Sequence, residues 1–203
     1  AALGAAIVIV TGSWVLLGLA VAGLAGGLLY TASPVKLAYR CLGELTIALM
    51  FGLLPLVGAY YMQSFSLEPV ILVPAGVLSV LIFLVILINE FPDSEPDAAA
   101  GKRTLVVALG KRPAAVLYKT LLVVTYVFAV GMLFFEPTFY AGMLYLLTLP
   151  LAAVILRLFR TNQSVGVYPS PQDTRLNAMT IALHSAGTAA LAVGALLHCM
   201  FYG

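Results

Sequence analysis

Half of the eight acidic side chains in this 203-residue chain, Glu90, Asp93, Glu95 and Asp97, fall within one short stretch. That stretch, Asn89 to Thr104, reads N-E-F-P-D-S-E-P-D-A-A-A-G-K-R-T. Asn89, Asp93 and Asp97 are spaced by four, so a continuing helix would carry all three side-chain oxygens on one face. Pro92 and Pro96 oppose continuation, because each removes an amide donor and crowds the preceding turn. They predict that a helix entering the stretch ends or kinks near Asn89. Carboxylates with an amide oxygen, and no His or Cys beside them, suit a hard cation such as Mg²⁺. Mg²⁺ keeps several waters and is readily shared with phosphate oxygens. Lys102 and Arg103 follow at once and can neutralise a diphosphate, with Lys36 and Arg40 as further cationic donors. Acids followed by bases fit a metal-bridged diphosphate. On spacing alone they fit a solvated, charge-balanced loop equally well.

The elements that hold this stretch are apolar. The chain is 63% hydrophobic and 9% charged, whereas a soluble domain carries roughly 25% charge. A membrane span takes about 20 apolar residues, so six or seven spans fit. Apolar runs separated by polar breaks place spans at about 14–30, 42–62, 70–89, 114–135, 139–156 and 178–201. The runs are too long and too continuously apolar for barrel strands, so the expected fold is all-α, a polytopic helical bundle forming one domain. The breaks carry turn residues at Ser33-Pro34, Glu68-Pro69, Gly110 to Pro113, Glu136-Pro137 and Tyr168 to Pro171. Gly18, Gly23, Gly26 and Gly27 make the first span suited to close packing. Cys41 and Cys199 fall near opposite ends of their helices, too far apart to bond, and are expected to be buried apolar thiols. The net charge of +2 is small and there is no basic arm, which argues against a nucleic-acid partner.

Charge also orients the bundle. Breaks after the first, third and fifth spans hold Lys36, Arg40, Lys102, Arg103, Lys111, Arg112, Arg157, Arg160 and Arg175, with Lys119 just inside the fourth span. The opposite breaks hold only Glu68 and Glu136. The asymmetry predicts that the basic loops, and the acidic stretch with them, face the cytoplasm; the membrane is expected to be a bacterial or archaeal plasma membrane. Trp14 and Tyr60-Tyr61 fall where the outer aromatic belt belongs. Asp173 and Arg175 are expected to meet within a cytoplasmic loop. Residues 1–10 precede a Thr-Gly-Ser turn on the outer side and cover only about 15 Å as a helix. Ala1 is therefore expected to sit near mid-membrane, at the cut end of a preceding helix.

Asn89-Glu90-Phe91-Pro92-Asp93-Ser94-Glu95-Pro96-Asp97, followed by Gly101-Lys102-Arg103-Thr104-Leu105 and Leu109-Gly110, resembles the second aspartate-rich motif of the UbiA-type prenyltransferase family. Tyr30-Thr31, Pro34, Leu37-Ala38-Tyr39-Arg40, Leu42-Gly43-Glu44 and Phe51-Gly52 resemble the same family in the same order. The nearest likeness is to its menaquinone branch, the 1,4-dihydroxy-2-naphthoate polyprenyltransferases. The resemblance implies a nine-span enzyme with two aspartate-rich motifs, of which the first is missing here. By it the chain begins late in the third family span, with about six full spans present, and residues 1–203 alone should be inactive. It implies Mg²⁺ held by Asn89, Asp93 and Asp97, a polyprenyl diphosphate donor, an aromatic acceptor and the lipid bilayer as surroundings. Lys102 and Arg103 would stabilise the departing charge. Tyr30 and Lys36 loosely match a family Tyr and Lys near the site, with Arg40 a further diphosphate contact and Glu44 expected to orient Arg40 or Lys36. Asn89 and Asn177 are expected to touch substrate, and Asn177 and His184 share one face of the last span, where an interhelical hydrogen bond is the plainer reading.

Other readings remain at this stage. Another acceptor, such as 4-hydroxybenzoate, chlorophyllide or a haem porphyrin, fits the same motifs. A non-catalytic subunit of a membrane complex is the alternative from a different class. A transporter fits poorly, since charged or broken helices at mid-membrane are its usual mark and the charges here gather at one face.

Overall fold

In the computed structural model, residues 2–164 and 174–202 are described. The helices are α1 (Ala2–Thr11), α2 (Trp14–Thr31), α3 (Gly43–Ala48), α4 (Leu54–Ser64), α5 (Leu72–Ala99), α6 (Leu105–Leu109), α7 (Lys111–Met132), α8 (Phe139–Leu146), α9 (Leu149–Ser164) and α10 (Thr174–Tyr202). There is no β-strand among the described residues, only an isolated bridge between Arg40 and Arg103. Five helical stretches are long and apolar enough to cross a membrane, and six if the bent pair α8–α9 counts as one.

The centre of the bundle is α5. Val77, Leu81, Leu84, Ile88 and Phe91 recur every three or four residues and are fully buried, forming one helical face. They meet Ala114, Ala115, Tyr118 and Leu122 of α7, Ile155 and Phe159 of α9, and Leu176 and Leu183 of α10. In lipid there is no water to expel from between helices, so packing and hydrogen bonds hold them together. Small residues permit the approach: a Cβ at Gly194 of α10 would collide with the Ala141 backbone of α8. Buried hydroxyls add bonds between segments. The Tyr118 hydroxyl pairs with Thr180 Oγ1 at 2.6 Å, Tyr126 with Thr148 at 2.8 Å, and Tyr145 donates to Thr125 at 2.9 Å.

Three spans differ from expectation. The third does not end near Asn89: α5 continues through Pro92 and Pro96 to Ala99. The prolines are four apart, so their missing amide bonds fall in one row of the helix. The opposite side keeps its packing, with Phe91 and Ser94 buried. The second span is helical from Gly43 to Ser64 but contains a π turn at Leu49–Leu53, where the Leu54 amide reaches back to Leu49 O. Pro55 follows immediately, and a wider turn relieves its clash with the preceding one. The fifth span is bent by 50° between α8 and α9. There Leu147 N bonds Leu144 O, Thr148 N bonds Tyr145 O, and Pro150 supplies no amide to continue the ladder.

The break before α2 follows the Thr-Gly-Ser signal, with Gly12 at φ +60° and Ser13 Oγ accepting from Leu16 N. Ser13 Oγ also donates to the Tyr61 hydroxyl at 3.0 Å, so Trp14 and the Tyr60-Tyr61 pair share one end of the bundle. Cys41 and Cys199 are free, but neither is buried as expected: Cys41 is half-buried in the loop before α3, and Cys199 is exposed near the end of α10. The turn at Tyr168 to Pro171 and the partner expected for Arg175, Asp173, lie outside the described residues.

Candidate functional site

Because α5 continues, Asn89, Asp93 and Asp97 stand on one face, one turn apart, about 6 Å per step. They line a cavity of about 140 Å³ together with Tyr30 of α2, Glu44 of α3, Glu90, and Lys102 beyond the end of α5, with Ala38, Gly43 and Ile86 completing the wall. The buried row ending at Phe91 and the row ending at Asp97 are different faces of one helix. The core therefore fixes the direction in which the acids point.

Each polar group has a definite engagement. Lys102 Nζ lies 3.1 Å and 3.3 Å from the two carboxylate oxygens of Asp97. Gly101, at φ +71°, turns the chain back so that Lys102 reaches its own helix. Partial burial disfavours the Lys102 ammonium, but the Asp97 carboxylate outweighs this and its pKa rises above 10.5. Asn177 Nδ2 of α10 donates to Asn89 Oδ1 at 2.6 Å, so the expected interhelical bond joins Asn177 to the site itself. Asp93 is exposed and has no hydrogen-bond or ion-pair partner among the described residues.

The other cations lie outside the cavity wall. Lys36 Nζ sits over the Tyr39 ring, 5.6 Å from its centroid. Arg40 Nη2 donates to Pro34 O at 2.9 Å. Arg103 is exposed, and its backbone pairs with the opposite loop: Cys41 N donates to Arg103 O at 2.8 Å, and Arg103 N to Tyr39 O at 3.3 Å. His184 is half-buried on α10 and its Nε2 has no partner.

Two acids matter more than their sequence positions suggested. Glu44 is 2% exposed and Glu90 8%. Glu44 does not orient Arg40 or Lys36. Its Oε1 accepts the Leu105 amide at 2.6 Å, while Glu90 Oε2 lies 3.5 Å from the Val106 amide. The sequence signal for Glu44 was its place in the first turn of a span. Glu90 was masked by its neighbours, since nothing in the order of residues says it turns from solvent.

Among the described residues no three His, Cys, Asp or Glu side chains converge on one point. The donors on this face, two carboxylates and one amide oxygen, nevertheless fit Mg²⁺, which takes few protein ligands and completes its shell with water and phosphate. Asp93 is free to bind, and Asp97 would share its charge between Lys102 and a cation.

Comparison with known proteins identifies the family. The model of the UbiA prenyltransferase family matches residues 1–166. The chain is 31% identical over 159 residues to the 1,4-dihydroxy-2-naphthoate octaprenyltransferase of Haemophilus influenzae, covering 78% of this chain and 49% of that protein. It is 30% identical over 190 residues to the enzyme of that name in Mycobacterium leprae, covering 93% and 63%. With the 2-carboxy-1,4-naphthoquinone phytyltransferase of Synechocystis sp. it shares 29% over 172 residues, covering 84% and 54%. The chain thus spans about half the length of the curated relatives it matches. No solved structure matches it significantly. A helical bundle with membrane-spanning helices, an acid row at one end and a family match over residues 1–166 lead to one conclusion: the chain is an integral membrane protein and belongs to the UbiA prenyltransferase family.

Proposed function

We propose that the complete protein transfers a polyprenyl group from an allylic diphosphate to an aromatic acceptor, with 1,4-dihydroxy-2-naphthoate as the acceptor, in menaquinone synthesis. The observation that carries the reading is the row Asn89, Asp93, Asp97 at a cavity that also holds Lys102 and Tyr30. The acceptor follows the names of the relatives.

In this reading Asn89, Asp93 and Asp97 hold Mg²⁺, which when bound neutralises diphosphate charge and eases its departure. The chain's own part is placement. Lys102, fixed by Asp97, presents an ammonium to the diphosphate as its charge grows. Arg103, Arg40 and Lys36, outside the cavity wall, add positive charge on the same loops and raise the local concentration of the anionic donor. The bond from allylic carbon to diphosphate oxygen breaks, a bond to a ring carbon of the acceptor forms, and diphosphate leaves with both electrons of the broken bond, while that ring carbon releases the proton or the carboxylate it carried, the latter as carbon dioxide, and the ring regains its aromaticity. Tyr30 offers an aromatic face to the electron-poor allylic carbon at the cavity wall. The excess of Lys and Arg in the loops beside the acid row supports a site at the cytoplasmic face of the membrane, where water-soluble diphosphate and lipid chain can both be reached.

The test is prenyl transfer by membranes holding the complete protein, with 1,4-dihydroxy-2-naphthoate, a polyprenyl diphosphate and Mg²⁺. A prenylated naphthalene product is expected with Mg²⁺ and none with excess chelator. Prenylation of 4-hydroxybenzoate in its place would refute the acceptor, and no prenylation of any aromatic would refute the enzyme.

A further inference from the structure

The two basic residues of the acidic-basic stretch do not sit on a helix of the core. They lie in the connection from Gly101 to Thr104, between the end of α5 and the five residues of α6. Something outside that connection must fix where Lys102 points. Asp97 holds its ammonium, but a flexible backbone would let the pair swing together.

We propose that Glu44 is a positioning residue: its buried carboxylate clamps the backbone of the Lys102–Leu105 connection to the second span and so sets Lys102 in the diphosphate cavity. This deepens the prenyl-transfer reading and rests on it for the role of Lys102. Four observations carry the clamp. Glu44 is 2% exposed in a protein where buried acids are costly. Its Oε1 accepts the Leu105 amide at 2.6 Å, across 61 residues of sequence. The same connection is sewn to the loop just before Glu44 by the Cys41–Arg103 and Arg103–Tyr39 backbone bonds. The Cys41 thiol also approaches Thr104 O at 3.7 Å. Backbone bonds at residues 39–41 and the Glu44 side chain therefore hold one short connection from the same flank.

Glu90 completes the arrangement. Its carboxyl stands beside that of Glu44 and faces the Val106 amide. Glu44 Oε2 is buried and has no hydrogen-bond partner among the described residues. Two adjacent backbone amides are thus received by acids from two different spans. The connection is tied to α3 and α5 at once, and the distance between those helices sets the height of Lys102 over Asp97.

The experiment uses the complete protein with Cys199→Ser as background, since Cys199 is exposed. Glu44→Gln keeps an acceptor oxygen at the same reach. Glu44→Asp keeps the charge but falls short by one methylene, and Glu44→Ala removes the acceptor. Two readouts are taken: KM and kcat for the polyprenyl diphosphate, and the alkylation rate of Cys41 by a water-soluble maleimide. Loss of one backbone hydrogen bond to a charged group corresponds to a KM about tenfold higher in Glu44→Ala and Glu44→Asp. Faster Cys41 alkylation should accompany it, with both values near the parent in Glu44→Gln. Parental KM and parental alkylation in Glu44→Ala would overturn the clamp, as would Glu44→Gln behaving like Glu44→Ala. If the parent transfers no prenyl group at all, the function reading fails, and Cys41 alkylation alone decides the clamp. If Glu44→Ala does not fold, the Asp and Gln variants decide it by the same readouts.

Discussion

Two polar regions of this apolar molecule obey opposite rules. In the middle of the bundle Tyr118, Tyr126 and Tyr145 are paired with Thr180, Thr148 and Thr125, and every one of those bonds is made inside the protein. At the end of α5, Asp93 has no partner among the described residues, Asp97 has only Lys102, and Asn89 is engaged by Asn177 through its single oxygen. The first region is complete without any other molecule. The second is left with charge and lone pairs that only something else can satisfy. Buried hydroxyls that find one another are structure, whereas exposed carboxylates on one helix face stay open to water or to a ligand, as the proposed binding surface requires.

That contrast can be broken most sharply at Asp93. Asp93→Ala in the complete protein should lower Mg²⁺-dependent prenyl transfer by at least about a hundredfold, the scale of losing one preorganised charge-stabilising group. Its thermal unfolding should barely move, because no contact within the protein is lost. Tyr118→Phe should do the reverse. It removes a buried hydrogen bond worth about 1 kcal/mol and lowers the unfolding midpoint, while turnover per folded molecule stays at the parental level. Thermal melts and turnover measured on the same preparations check both. Near-parental turnover in Asp93→Ala, or a dead but stable Tyr118→Phe, would erase the distinction.

A smaller effect is expected at the link between the regions. Asn177→Ala frees Asn89 from α10 and costs about 0.6 kcal/mol, an average interhelical bond in lipid. KM for the diphosphate should rise about threefold, the same energy as a ratio, with kcat nearly unchanged. The smallest effect is on pH dependence. The Lys102 pKa is raised above 10.5, so its pairing with Asp97 contributes fully below that value and is lost only as pH rises through the higher folded value. Unfolding midpoints of the parent and Lys102→Met should differ by a constant amount from neutral pH up to 10.5 and converge above it. Convergence already at neutral pH would show that the pair is not formed.

The helical bundle and its spans were legible in the sequence because lipid leaves the backbone no alternative to internal hydrogen bonds. The acid row was legible too, since a spacing of four means one face wherever a helix persists. What misled was Pro92 and Pro96. Read locally, they stop a helix, yet the buried contacts of Phe91 and Ser94 carry α5 past them to Ala99. Pro55 and Pro150 acted in the expected direction but on the scale of a π turn and a 50° bend, which apolar runs do not report. Charge and the family resemblance group Lys36, Arg40 and Arg103 with Lys102, but only Lys102 lines the cavity. Their side-chain directions depend on the backbone pairing of residues 39–41 with 103, a contact no local pattern announces. Glu44 and Glu90 were hidden for the same reason, since their partners are amides supplied by a distant turn.

The central claim is that the Asn89, Asp93, Asp97 face binds a divalent cation together with diphosphate. The most direct test is Mn²⁺ electron paramagnetic resonance on the complete protein, with inorganic pyrophosphate as the anion. Bound Mn²⁺ that appears with pyrophosphate in the parent and is lost in Asp93→Ala with Asp97→Ala would bear the account out. Equal Mn²⁺ binding in both proteins would contradict it.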